Sequence, residues 1–253
     1  MNISKINNLD DLFIAWKEFQ TNDGLYSLLN KYCKNIAPNA FARDGIVDNV
    51  IFQKTGYKVL YIMNESNADS YVDITKDQSN WSFTRNFKVF EQTGEKWKPS
   101  YLLTKICEMQ RIILQNELGL QIDLQPSALT LSVINLNKRG GGKHISRSYF
   151  DEYFKPYVEK HTDFIKREVE IINPDLIIWC GVNTYSLKEY VVPDIYKRKT
   201  FLMWHPSYTR ISKEHPQSNN CISKAATHNA IIRKYIAEFE MRYHKHINRY
   251  INA

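Results

Sequence analysis

The chain has 253 residues, enough to bury a large core in one sizeable α/β domain. Its 34 Lys and Arg against 27 Asp and Glu give a net charge of +7 and a pI near 9.0, which with 13% aromatic residues favours a polyanionic partner. Cys33, Cys107, Cys180 and Cys221 form no CxxC pair and have no histidine at finger spacing, arguing against a structural zinc site and a disulfide framework; with no signal-peptide core and no run near the ~20 apolar residues of a membrane span, a soluble cytoplasmic protein is expected.

In chain order, LDDLFIAWKEF and GLYSLLNKYC carry apolar residues at three- and four-residue spacing, so residues 1–40 read as two amphipathic helices forming an N-terminal extension packed on the core as an appendage. YKVLYIM (57–63), set off by Gly56 and by NESN, is a near-continuous apolar run of the kind buried on both faces of a sheet. Further strands follow at ALTLSVIN (128–135), PDLIIWCG (174–181) and TFLMW (200–204), and in the WHPS that ends the last, Pro206 stops regular hydrogen bonding. Helical periodicity fills the gaps, in KPSYLLTKICEMQRIILQNEL and YFDEYFKPYVEKHTDFIKREVEIIN, and a long basic amphipathic helix closes the chain at 222–253. Strand alternating with helix predicts a three-layer α/β/α fold around a mainly parallel four-stranded sheet, in a single domain of 1–253.

In a parallel sheet, polar residues at the carboxyl ends of the strands converge on one crevice. Here they are Asn64, Glu65 and Ser66, then Asn135 and Asn137, then Gly181 and Asn183, and last His205 and Ser207. One carboxylate, one imidazole and several amides make no metal-ligand set, and there is no Ser or Cys nucleophile with a partner at a familiar spacing. The set suits chemistry in which a positive centre develops on one side and an anion on the other while an amide reads a planar heterocycle.

Four of these segments resemble, in order, the motifs of the uracil-DNA glycosylase superfamily. VLYIMNESN resembles its first motif, Asn135 at the end of LSVIN matches the asparagine that pairs with the flipped base, INPDLIIWCG resembles its glycine-ended strand, and HPSY resembles the motif with the catalytic histidine. The resemblance spans about residues 41–210 and implies a monofunctional DNA glycosylase that extrudes a base and hydrolyses its N-glycosidic bond, leaving an abasic site. Glu65 would orient the water and stabilise the oxocarbenium-like sugar, and His205 would donate to the leaving base. Asn135 would read the base edge, with Asn64 in support. Each also has a plainer reading: Glu65 as a helix cap or the partner of a surface Lys, His205 as a turn cap, Asn135 satisfying loop backbone.

The remaining assignments follow from the needs of such an enzyme. Trp81 and Phe83, with Phe87 nearby, are candidates to stack on the base, or else core residues. The loop NKRGGGKHISR brings three glycines together with Lys138, Arg139, Lys143 and Arg147 and reads as a clamp on the DNA backbone, or as a solvated loop. Ser207, Tyr208 and Arg210 would contact DNA where the base leaves. The family's uracil-specific branch has a Pro-Tyr pair in its first motif, where this chain has Ser66 and Asn67. That substitution leaves room beside C5, implying a uracil-like or 5-modified pyrimidine, including a hypermodified phage base and hence a role in phage defence. A cytoplasmic monomer acting on DNA without cofactor, iron–sulfur cluster or metal is expected. The alternatives are a non-catalytic module holding nucleic acid or a nucleotide, and a metal-dependent phosphoesterase built on the basic loop.

Overall fold

The computed structural model describes residues 2–34, 36–67, 99–141, 146–207 and 224–251. One sheet runs in the order β1-β3-β2-β4-β5, with β1 at Gly45–Ile46, β2 at Val59–Asn67, β3 at Ser132–Gly141, β4 at Leu176–Cys180 and β5 at Thr200–Met203. β3, β2, β4 and β5 are parallel, as expected, and β1 adds a short antiparallel edge to β3. Two residues are too few to carry a periodic signal, so β1 was not legible in the sequence.

The helices are α1 (Leu9–Thr21), α2 (Tyr26–Tyr32), α3 (Asn49–Lys54), α4 (Tyr101–Leu118), α5 (Leu124–Leu129), α6 (Lys155–Lys160), α7 (Thr162–Ile172) and α8 (Lys224–Ile251), with shorter turns between them. Successive strand residues face opposite sides, so Leu60, Ile62, Ile134, Ile177 and Trp179 pack one face against Trp16, Phe164 and Val169. Tyr61, Val133, Ile178 and Phe201 pack the other against Ile106, Met109, Tyr235 and Phe239. The result is three α/β/α layers. Helix ends follow capping rules. Ser100 Oγ accepts from Leu103 N–H at the start of α4, and Gly119 closes it at φ +66°, where a side chain would be strained.

Three sequence expectations change. β3 does not end at Asn135: it starts at Ser132, because residues 124–129 are helical, and runs on to Gly141 beside an equally extended β2. The charged stretch Asn137-Lys138-Arg139 therefore lies inside the sheet. The 149–173 helix is also not uniform. Residues Phe150–Phe154 form a π-turn immediately before Pro156, which has no N–H to give to the preceding turn, and a break at His161 separates α6 from α7.

The third change concerns α1, which is built into the core rather than appended to it. Lys138 and Arg139 are both fully buried, and so cannot clamp a DNA backbone as the sequence suggested. Lys138 Nζ pairs with Asp44 and, at 2.8 Å, with Glu168, and lies 5.0 Å over the Trp16 ring of α1. Arg139 pairs with Asp23 at 3.2 Å and donates to the Gln20 carbonyl. His161 accepts from Trp16 Nε1 at 2.7 Å and bonds Asp23 at 3.0 Å through its other nitrogen. These charges are tolerable in the interior only because each has a partner. Removing one strands the others. Lys138→Ala is thus expected to cost about 3–5 kcal/mol of stability by leaving Asp44 and Glu168 uncompensated. Urea denaturation measures this, whereas a DNA-clamp role would show as a reduced salt slope of DNA binding with stability unchanged.

Candidate active site

Strand register sets the site. Ile62 pairs with Trp179, and Trp179 with Leu202; three residues further along each chain come Glu65, Val182 and His205. Glu65 is in register with Asn137 on the other side. Glu65 lies within β2 and His205 two residues past the end of β5, with β4 between the two strands, and both stand at the carboxyl end of the sheet. The chain passes from β2 to β3 on one side and then to β4 on the other, so the crevice lies where the strand order reverses.

Glu65 is held by one oxygen and open at the other. Its Oε2 accepts from the Tyr149 hydroxyl at 2.6 Å and from Asn137 Nδ2 at 3.0 Å. Its Oε1 is buried and has no hydrogen-bond partner among the described residues. Burial raises the carboxyl to about 7, against the pull of the bonds from Tyr149 and Asn137, which favour the ionised form. Gly141 makes the close approach of β3 possible, since a Cβ there would lie 2.0 Å from Glu65 Oε2. Tyr149 immediately precedes the π-turn; Tyr149 and Tyr153, four apart, point to the same polar cluster, and Tyr153 donates to Asn137 Oδ1 at 3.4 Å. Tyr149→Phe is expected to move the Glu65 midpoint upward, because one bond favouring the carboxylate is lost. A pH–rate profile reads the shift, and an unmoved midpoint would mean that Tyr149 only packs.

On the β4 side, the Thr184 hydroxyl accepts from Trp179 Nε1 at 3.2 Å and donates to Asn64 Oδ1 at 2.7 Å. This fixes the amide and leaves Asn64 Nδ2 without an acceptor among the described residues. A Cβ at Gly181 would sit 2.7 Å from Asn64 Oδ1, so glycine is required for this contact.

His205 follows β5. Its Nδ1 accepts the Ser207 N–H at 3.2 Å, so the ring proton sits on Nε2, and the Ser207 hydroxyl, 2.7 Å away, donates to the same Nδ1. Burial first and the charge of Lys105 second push the imidazole down to about 4. His205 is therefore a neutral Nε2–H donor across the physiological range.

Of the sequence-derived residues, Asn64 and Glu65 are set at the carboxyl end of β2 and His205 just past that of β5, with β4 between the two strands. Asn135 is not at the lip. It pairs with Met63, two residues below the Glu65 level, is 1% exposed, and gives both its backbone N–H and Nδ2 to Asp44, at 2.7 and 3.0 Å. The amide that touches Glu65 is Asn137. Arg147 is 97% exposed at its side chain, with Asp151 3.7 Å away, and remains available to a phosphate. Trp81, Phe83, Phe87, Lys143, Tyr208 and Arg210, and the side chains of Ser66 and Asn67, lie outside the described residues. Sequence reading missed Tyr149, Thr184 and Lys105. The four-residue spacing of Tyr149, Tyr153 and Tyr157 was the one available signal, and it reads equally well as apolar packing.

Among the described residues no three His, Cys, Asp or Glu side chains gather as a metal site, and no helix is long and apolar enough to cross a membrane. Compared with models of known protein families, and with curated proteins, the chain matches none.

Proposed function

We propose that the chain is a monofunctional DNA glycosylase that hydrolyses the N-glycosidic bond of an extruded uracil-like or 5-modified pyrimidine. The observation that supports this reading is that Glu65 of β2 and His205 just past β5 both stand at the carboxyl end of one parallel sheet. One is a carboxylate with a buried, unpaired oxygen, and the other is a neutral imidazole with its proton on Nε2. As the bond breaks, the sugar gains positive charge and the base leaves as an anion. Glu65 Oε1 takes a proton from the attacking water and offsets the sugar's charge. His205 Nε2–H donates to the carbonyl oxygen of the departing base, a fixed donor in a low-dielectric setting. Asn64 Nδ2 supplies a further donor to base or phosphate.

The net charge of +7 and exposed Arg147 agree with DNA as partner. The 5-modified pyrimidine rests on Ser66 and Asn67 standing where the resembled family's uracil-specific branch has Pro-Tyr, and a hypermodified phage base extends it. The test is a panel of oligonucleotides, single- and double-stranded, each with one altered pyrimidine, treated with protein and then alkali. Strand scission at one altered position is expected. Binding of the panel with no alkali-labile site, unaffected by Glu65→Gln, would favour the non-catalytic binding module.

A further inference from the structure

We infer that Lys105 is a positioning residue for His205, and that α4 and α8 form a two-sided clamp on the loop that carries it. For its effect on rate this rests on the proposed role of His205; the clamp itself does not. Lys105 lies on α4, is fully buried, and donates from Nζ to the Pro206 carbonyl at 2.8 Å. The ammonium sits between two aromatic faces, 4.0 Å from the Tyr101 ring and 4.4 Å from the Tyr235 ring of α8. The Tyr235 hydroxyl donates to the Trp204 carbonyl at 2.5 Å. The carbonyls immediately before and after His205 are thus both held, one from each helix, and Ser207 holds the ring between them.

The two ring faces and the Pro206 carbonyl offset the desolvation cost of the buried ammonium, and its charge also acts on the imidazole. Beside the imidazole it opposes protonation, which keeps Nδ1 an acceptor and Nε2 a donor. The same charge favours an anion forming at the far end of the Nε2–H bond. The described titratable or charged groups packed on this loop are Lys105 and Tyr101 from α4, and Tyr235 and Arg242 from α8. Arg242 sits 5.6 Å over the Trp204 ring and donates to the Leu202 carbonyl at 3.5 Å, two residues further back. Lys105 is thus the cation placed to act on His205. Burial lowers Lys105 to about 8, so the anchor loses its charge in mild alkali.

Ring nitrogen NMR of His205 in the full chain, assigned with a His205→Asn variant, tests this. The wild type is expected to show the neutral Nε2–H tautomer at pH 5–8, and a change of signal near pH 8 as Lys105 deprotonates. In Lys105→Met the imidazole midpoint should rise by at least one pH unit, and kcat for base release should fall about tenfold or more with little change in KM. In Lys105→Arg, which keeps its charge, the midpoint should stay low and the change near pH 8 should vanish. If Lys105→Met does not fold, the Arg variant decides: a His205 signal still changing near pH 8 overturns the inference. So does a folded Met variant with an unmoved midpoint. A shifted midpoint in a protein that releases no base would keep the clamp and remove the glycosylase; unchanged release with an unmoved midpoint would do the reverse.

Discussion

Glu65→Gln is expected to lower the rate of base release by about 10²–10⁴-fold and to abolish the acid limb of the pH profile. The carboxyl must be ionised to take a proton from water. Raised to about 7 by burial, it is protonated below that value, so wild-type kcat/KM should rise with pH through about 7 and level off. The same shift appears in stability with a defined sign. The folded state binds this proton more tightly than the unfolded state does, from an ordinary value of 4.5 to about 7. That contribution is fully present below pH 4.5 and is lost as pH rises through about 7. Between pH 5 and 8 the loss amounts to about 2–3 kcal/mol. Gln does not titrate, so the stability difference between variant and wild type should grow by that amount over the interval. Urea denaturation at the two pH values measures it. The protein is therefore expected to maintain a costly ionised Glu65 at working pH for the sake of the reaction.

His205→Ala is expected to cost about 10²–10³-fold in kcat, the loss typical of one fixed donor to a developing anion. Its diagnostic is what does not change. With the imidazole held down to about 4, the neutral ring is present throughout the working range, so the midpoint near 7 should be the same in wild type and variant. An imidazolium acting as general acid would behave in the opposite way, with activity falling as pH rises through the ordinary histidine range. Steady-state profiles of the two proteins from pH 5 to 9 separate the cases.

The fold was largely legible because its signals are local. Apolar runs such as KVLYIM and LIIW mark buried parallel strands, and the periodic stretches between them mark covering helices. The candidate site was legible only in part. Glu65 and His205 fall at the carboxyl ends of apolar strand runs that the sequence marks plainly. Asn135 was misplaced because the charges of Lys138 and Arg139 suggested a loop. Their partners Asp44, Glu168 and Asp23 come from distant parts of the chain, and only folding shows that the charges are compensated inside. Tyr149 and Lys105 were illegible for a similar reason. Tyr149 reaches Glu65 from 84 residues away, and Lys105 reaches Pro206 from 101 residues away, and neither separation leaves a trace in a window of sequence.

Glu65 and His205 are proposed to act from either side of one extruded nucleotide to part base from sugar. Mass spectrometry of small molecules released from DNA that carries modified pyrimidines tests this. A free pyrimidine base is expected from the wild type, accompanied by an equal number of abasic sites, and almost none from Glu65→Gln or His205→Ala. Release of a nucleotide or nucleoside in place of a free base, or equal release of free base by all three proteins, would contradict it.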